Sequence, residues 1–282
     1  SANMAKIDAK DANVNVTVSG TQANVTSDNV TDLNALLAAT TGTVTATIDG
    51  NVAQLSSVTS NASSAATNAL TIVVDDVATA AQGAAIADST SIATVDFSAA
   101  GVSDTFANIV AAGTGAVSAN MAKIDAKDAN VNVTVIGTQA NVTSANVTDL
   151  NALLAATTGT VTATIDGNVA QLKNVTSNAS SAATNALTIV VDDVATAAEG
   201  AAIAASTNVG TVDFSAAGIT DSLANLASSG AATANLQAVD AKDANVNVSL
   251  SAAVTNATAQ NVTDLNALLE ATTGTVTATI DG

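Results

Sequence analysis

Four short stretches in the first 117 residues alternate strictly between apolar and polar positions, the period of a strand with one buried face. They are residues 14–18, 43–48, 70–74 and 93–97. Ala- and Leu-rich stretches with helical spacing lie before them. The clearest spans residues 31–39, with Leu33, Leu36 and Leu37 on one face and Thr31 or Asp32 as N-cap; Gly42 then stops it as a C′ glycine. Residues 77–87 and 103–112 read the same way, the second opening on a Ser103-Asp104-Thr105 cap.

The pattern repeats. Met4-Ala5-Lys6-Ile7-Asp8 returns as Met121-Ala122-Lys123-Ile124-Asp125, and residues 1–109 differ from 118–226 at 14 positions. Residues 32–50 return unchanged at 149–167 and almost unchanged at 264–282. The chain therefore divides into long repeat 1 (1–117), long repeat 2 (118–232) and a partial repeat 3 (233–282). It starts at phase 1 and stops at phase 50, which reads as a segment of a longer array.

Helix, glycine, strand and turn recurring at this short interval predict a right-handed α/β solenoid, with a stacked parallel sheet and short helices. About ten coils at ~4.8 Å each would extend roughly 45–50 Å. The alternative is a string of tandem all-β sandwich domains. Sandwiches usually carry large core residues and Pro-rich turns, and this chain has no Trp, Tyr or Pro.

Composition narrows the chemistry. With no His and no Cys, the chain lacks its usual general base, thiol nucleophile, disulfides and soft metal ligands. The net charge of −18 makes nucleic acid a poor partner and divalent cations a better one. No apolar run reaches transmembrane length, and the start shows no signal peptide. These features together predict a protein that is not an enzyme.

Three phrases carry a resemblance. They are residues 101–109 (GVSDTFANI), residues 218–226 (GITDSLANL) and residues 32–42 (DLNALLAATTG). They resemble repeats of giant Ala/Thr/Val/Asp-rich surface proteins of cyanobacteria and other Gram-negative bacteria. That resemblance implies type I secretion, an extracellular structural or adhesive role, and often calcium. The glycine-rich calcium nonapeptide of RTX proteins is absent.

A calcium argument also comes from strand register. Stacking Val14/Val16/Val18, Val44/Ala46/Ile48, Leu70/Ile72/Val74 and Ala93/Val95/Phe97 puts Ser19, Asp49, Asp75 and Ser98 in one corner column, with Asp76 beside it. Asp166, Asp192 and Asp193 repeat the set. Carboxylates on strands ~4.8 Å apart repel unless a cation such as Ca²⁺ joins them. The competing reading is that they are solvated turn residues. The Asp8-Ala9-Lys10-Asp11 phrase predicts a surface ion pair. Outward pairs Asn15/Thr17, Thr45/Thr47, Thr71/Val73 and Thr94/Asp96 form a mixed ladder, short of an ice-binding Thr array. Twelve Asn-x-Ser/Thr sequons follow from composition. The expected role is a spacer, surface-layer or fibre-forming element that self-associates or stacks on neighbouring repeats. A calcium-dependent adhesion module is the alternative, and an ice-binding solenoid the more distant one.

Overall fold

The computed structural model describes residues 2–59, 69–97, 99–176, 186–206, 209–214 and 217–281. Repeat 1 contains α1 (Ala2–Asp8), β1 (Val16–Gln22), α2 (Ser27–Ala39), β2 (Val44–Gly50), α3 (Val52–Leu55), β3 (Ala69–Val74), α4 (Ala80–Ala87) and β4 (Ile92–Asp96). It closes with β5 (Val102–Thr105), α5 (Phe106–Ile109), β6 (Val110–Ala111) and β7 (Ala116–Val117). Repeat 2 follows the same order. Its elements are α6 (Ala119–Asp125), β8 (Val133–Gln139), α7 (Ser144–Ala156), β9 (Val161–Gly167), α8 (Val169–Leu172), β10 (Ala186–Val191), α9 (Ala197–Ala204), β11 (Val209–Asp213), β12 (Ile219–Asp221), α10 (Leu223–Leu226), β13 (Ala227–Ser228) and β14 (Ala231–Ala232). The partial repeat has α11 (Ala234–Asp240), β15 (Val248–Leu250), β16 (Val254–Thr255), α12 (Ala259–Ala271), β17 (Val276–Thr277) and β18 (Ile280–Asp281).

Contacts group the chain into two compact units. One holds Ser1–Ala111, Ala116–Ile136 and Ala156–Thr160; the other holds Ala112–Gly115, Gly137–Ala155 and Val161–Gly282. In the first, β1-β2-β3-β4 form a parallel sheet in chain order, and β5 pairs parallel with β8. In the second, β9-β10-β11 and β12-β15-β17 are parallel. The antiparallel pairs are the small hairpins β6–β7 and β13–β14. The architecture is mixed α/β with parallel sheets and short helices. Helices and parallel pairs on this scale set aside the all-β sandwich, whose sheets are antiparallel.

The inward strand positions make the core. Val44, Ile48, Leu70, Ile72 and Val74 are buried, as are Leu33 and Leu37 of α2 and the rings of Phe97 and Phe214. The sheet register differs from the sequence expectation by two residues on two strands. Val16 lies beside Val44, and Ala46 beside Leu70. A slip of two keeps the same face inward, so hydrophobic pattern alone does not select between the two registers.

Helix α2 also starts earlier than its leucines suggest. Thr26 is the N-cap: its Oγ1 accepts from the Asn29 N–H at 3.3 Å, and Asn29 Oδ1 accepts from the Thr26 N–H at 2.9 Å. This reciprocal capping box satisfies two otherwise free donors. Thr31 lies inside the helix, its hydroxyl donating back to the Ser27 carbonyl at 2.9 Å. Gly42 does not serve as a left-handed C′ residue. A Cβ there would lie 2.4 Å from the carbonyl oxygens of Asn13 and Val14, so close backbone approach excludes any side chain. Gly159 and Gly274 repeat the constraint. The expected helix over residues 103–112 is instead β5, the single turn α5 and β6.

Candidate functional site

Of the six aspartates expected at the corner column, the structure joins four as two pairs. Asp49 lies opposite Val73 rather than Asp75, but Asp75 sits just beyond β3 and its N–H donates to the Gly50 carbonyl at 2.9 Å. That brings the Asp75 carboxyl to the Asp49 carboxyl. Hydrogen bonding to Asp49, then burial, then the charges of Asp49 and Asp76 push the Asp75 carboxyl above the usual range. Asp192 is raised by Asp166 in the same way. Asp49 Oδ1 and Asp166 Oδ1 are enclosed without a donor, as are Gln54 Oε1 and Gln171 Oε1. Ser98, the fourth member of the column, lies outside the described residues.

Asp76 and Asp193 are used differently. Asp76 Oδ1 accepts the Val52 N–H at 2.6 Å, and Asp193 Oδ1 the Val169 N–H at 2.6 Å, each capping a helix 24 residues earlier. Among the described residues, no group of three or more acidic side chains is placed to hold a metal ion. A carboxylate at a helix N-terminus is favoured by the free N–H groups and the helix dipole.

That role of taking backbone N–H groups extends to aspartates outside the corner column. Asp104 Oδ2 accepts from the Ala80 N–H at 3.1 Å, and Asp221 Oδ2 from the Ala197 N–H at 3.1 Å, again across 24 residues. Burial raises the Asp104 carboxyl, but bonds from the Asn108 side chain and the Thr105 and Ala80 N–H groups outweigh it, leaving it lowered. Asp128 Oδ2 takes the Phe97 N–H at 2.7 Å and Asp243 Oδ2 the Phe214 N–H at 2.8 Å. Burial is the largest influence on Asp128 and leaves it raised despite the Phe97 and Asn130 N–H bonds. Asp149, fully buried, takes the N–H groups of Gly113 at 2.6 Å and Gly115 at 2.8 Å, which close the β6–β7 hairpin. Asp264 takes that of Gly230 at 2.7 Å. The signal in the sequence was the return of each Asp at constant phase in phrases with no catalytic partner.

The Lys-Asp phrase is corrected by the same geometry. Lys127 Nζ donates to the Ile92 carbonyl at 2.5 Å, and Lys242 Nζ to the Val209 carbonyl at 2.5 Å. With Asp128 and Asp243 they grip the two ends of β4 and of β11 in the preceding repeat. Among the described residues, the ion pairs are Lys123 to Asp88 at 3.0 Å and Lys173 to Glu199 at 3.6 Å, all four side chains over a third exposed. Such pairs contribute little.

On the outer sheet face the corrected register aligns threonines. Thr21, Thr47, Thr71 and Thr94 fall side by side across four strands, with Thr94 Oγ1 3.4 Å from Thr71 Oγ1. Thr164, Thr188 and Thr211 repeat the file. The flanking positions are mixed: Thr17, Thr45 and Ala69 on one side, Asp49, Val73 and Asp96 on the other. Three of the sequon asparagines, Asn24, Asn141 and Asn256, occupy the left-handed region at φ 52–53°, where Asn is favoured over other non-glycine residues.

Compared with models of known protein families, with curated proteins and with solved structures, the chain finds no match. Among the described residues, no helix is long and apolar enough to cross a membrane.

Proposed function

We propose that this chain is a non-catalytic structural segment of an extracellular repeat protein, folded as a continuous right-handed α/β solenoid and serving as a spacer, surface-layer element or fibre. The observation that carries the reading is the recurring grip of one repeat on the last. Lys127 and Asp128 hold β4 as Lys242 and Asp243 hold β11, with matching distances. Polar groups in this chain are spent on joining neighbours at each repeat, as an array needs, and each is present in several copies, which a single active site does not need. The test is immunolabelling of intact source cells with an antibody raised to the purified segment. Surface labelling removed by mild external proteolysis is expected; labelling seen only after lysis overturns the extracellular assignment. An elongated solution-scattering profile is expected of a solenoid.

A second reading rests on the threonine file. Ordered Thr columns at strand spacing favour an ice-binding or adhesive sheet face, and ice-crystal shaping by the purified chain tests it. The calcium-dependent form of adhesion has weaker support, because each pair offers a cation two carboxylates while the third caps a helix.

A further inference from the structure

We propose that the exposed N-terminal face of repeat 1 is a docking seat for the closing segment of a like repeat, one with the chemistry of residues 92–117. The inference rests on reading the chain as a repeat array. Residues 1–18 and 118–135 are identical in sequence, yet they differ in exposure. Ile7 is 48% exposed, whereas its counterparts Ile124 and Val239 are fully buried. Met4, Val14 and Val16 are half-covered, whereas Met121, Val131 and Val133 are buried. The acidic positions follow suit: Asp11 and Asp32 are exposed, and Asp128 and Asp149 are buried. The second copy is covered by β4, the Phe97 backbone, β5 and the β6–β7 hairpin of the preceding repeat.

The seat in repeat 1 has matching form. A cavity of about 270 Å³ opens beside Asp32, lined by Val18, Gln22, Val25, Val30 and Leu33. The equivalent aspartate in repeat 2 holds the hairpin through the Gly113 and Gly115 N–H groups. Transferring the pairings position by position, Lys10 would take a carbonyl like that of Ile92. Asp11 would take an N–H like that of Phe97, and Asp32 two N–H groups like those of the hairpin glycines. The occupant is not an intact second copy of this chain. Both closing segments it contains are already engaged, at Asp128 with Asp149 and at Asp243 with Asp264. The partner is a repeat whose closing segment is unoccupied.

The experiment places one more copy of residues 1–117 ahead of the full chain, joining Val117 to Ser1 as Val117 now joins Ser118. Amide hydrogen exchange then reads residues 4–22 of the original chain. Protection should rise at least about tenfold in the extended chain, because those amides leave the frayed, exposed class. Asp11→Ala with Asp32→Ala should reverse that protection in the extended chain and, in the original one, affect only the Asn13 amide that Asp11 Oδ1 accepts at 3.3 Å. Unchanged exchange on extension overturns the proposal, and so does an equal effect of the substitutions in both chains. Concentration-dependent protection of the same amides in the unextended chain overturns the assignment of the occupant. Failure of the surface-labelling experiment would sink the extracellular reading and leave these outcomes intact.

Discussion

The Asp128 carboxylate holds the backbone N–H of Phe97 at 2.7 Å across 31 residues of chain. Both residues are buried, so the bond has no water to replace it. Asp128→Ala should cost about 1–3 kcal/mol by leaving that N–H unpaired. Asp128→Asn, which keeps an acceptor oxygen, should cost less. Asp11→Ala, the exposed counterpart, should fall within about 0.5 kcal/mol of the parent. Urea unfolding followed by circular dichroism measures all three, and equal midpoints for Asp128→Ala and Asp11→Ala would remove the latch from the stability argument.

The paired carboxyls give pH dependence a definite sign. Asp75 and Asp192 are raised in the folded chain, so their contribution is fully present below the unfolded carboxylate value of 3.8 and is lost as pH rises through the folded values. Asp104 is lowered, so its contribution is present above 3.8 and is lost as pH falls through its folded value. Asp75→Asn with Asp192→Asn supplies an uncharged amide donor to Asp49 and Asp166. The double variant should lose less stability than the parent as pH rises above the ordinary carboxylate range. Parallel pH profiles would show that the pairing does not set the pH dependence.

Calcium separates screening from coordination. Melting in calcium and in chelator with sodium should coincide at matched ionic strength, since two carboxylates per site fall short of the six to eight oxygens calcium gathers. A calcium-specific rise in melting temperature that disappears in the Asp75→Asn, Asp192→Asn variant would restore a cation site at the pairs.

Gly159 tests the close backbone approach. Gly159→Ala puts a Cβ 2.3 Å from the Val131 carbonyl oxygen, which backbone cannot yield cheaply, so a loss of at least about 2 kcal/mol is expected. Gly137→Ala meets nothing within 4 Å but sits at φ 78°, so about 1–2 kcal/mol of left-handed strain is expected. A Gly159→Ala loss no larger than that of Gly137→Ala would disprove the steric account.

The strands were legible because alternation of Val, Ile and Leu with Thr and Asn is a local signal; residues 70–74 and 93–97 match β3 and β4 to within one residue at each end. Their mutual register was not, because Ala46 fits against Leu70 or Ile72 with the same face inward. That two-residue ambiguity hid the pairing of Thr47 with Thr71, and the bulge between Thr17 and Thr21 hid that of Thr21 with Thr47. The start of α2 was missed because Thr31 and Asp32 are as good N-caps as Thr26 in isolation, and only Asn29 closing the box on Thr26 distinguishes them. The six corner aspartates stood out as positions, but the backbone partners of Asp76 and Asp193 did not. A backbone N–H 24 residues away leaves no mark in the sequence beyond the recurrence of the Asp itself.

Besides the N-cap side chain just before it, each of α3, α4, α8 and α9 has its first N–H taken by an aspartate that lies later in the chain. The first turn of each of these helices therefore lacks one acceptor until β3, β5, β10 or β12 has arrived, which gives the molecule a direction. Pulled from its C-terminal end, such a chain would come apart stepwise, each lost strand removing an acceptor from the first turn of an earlier helix. A 24-residue interval released in one step lengthens the chain by up to roughly 80 Å of extended polypeptide. Pulled from the N-terminal end, a helix leaves while its cap stays behind on an intact strand, so the two ends should resist force differently.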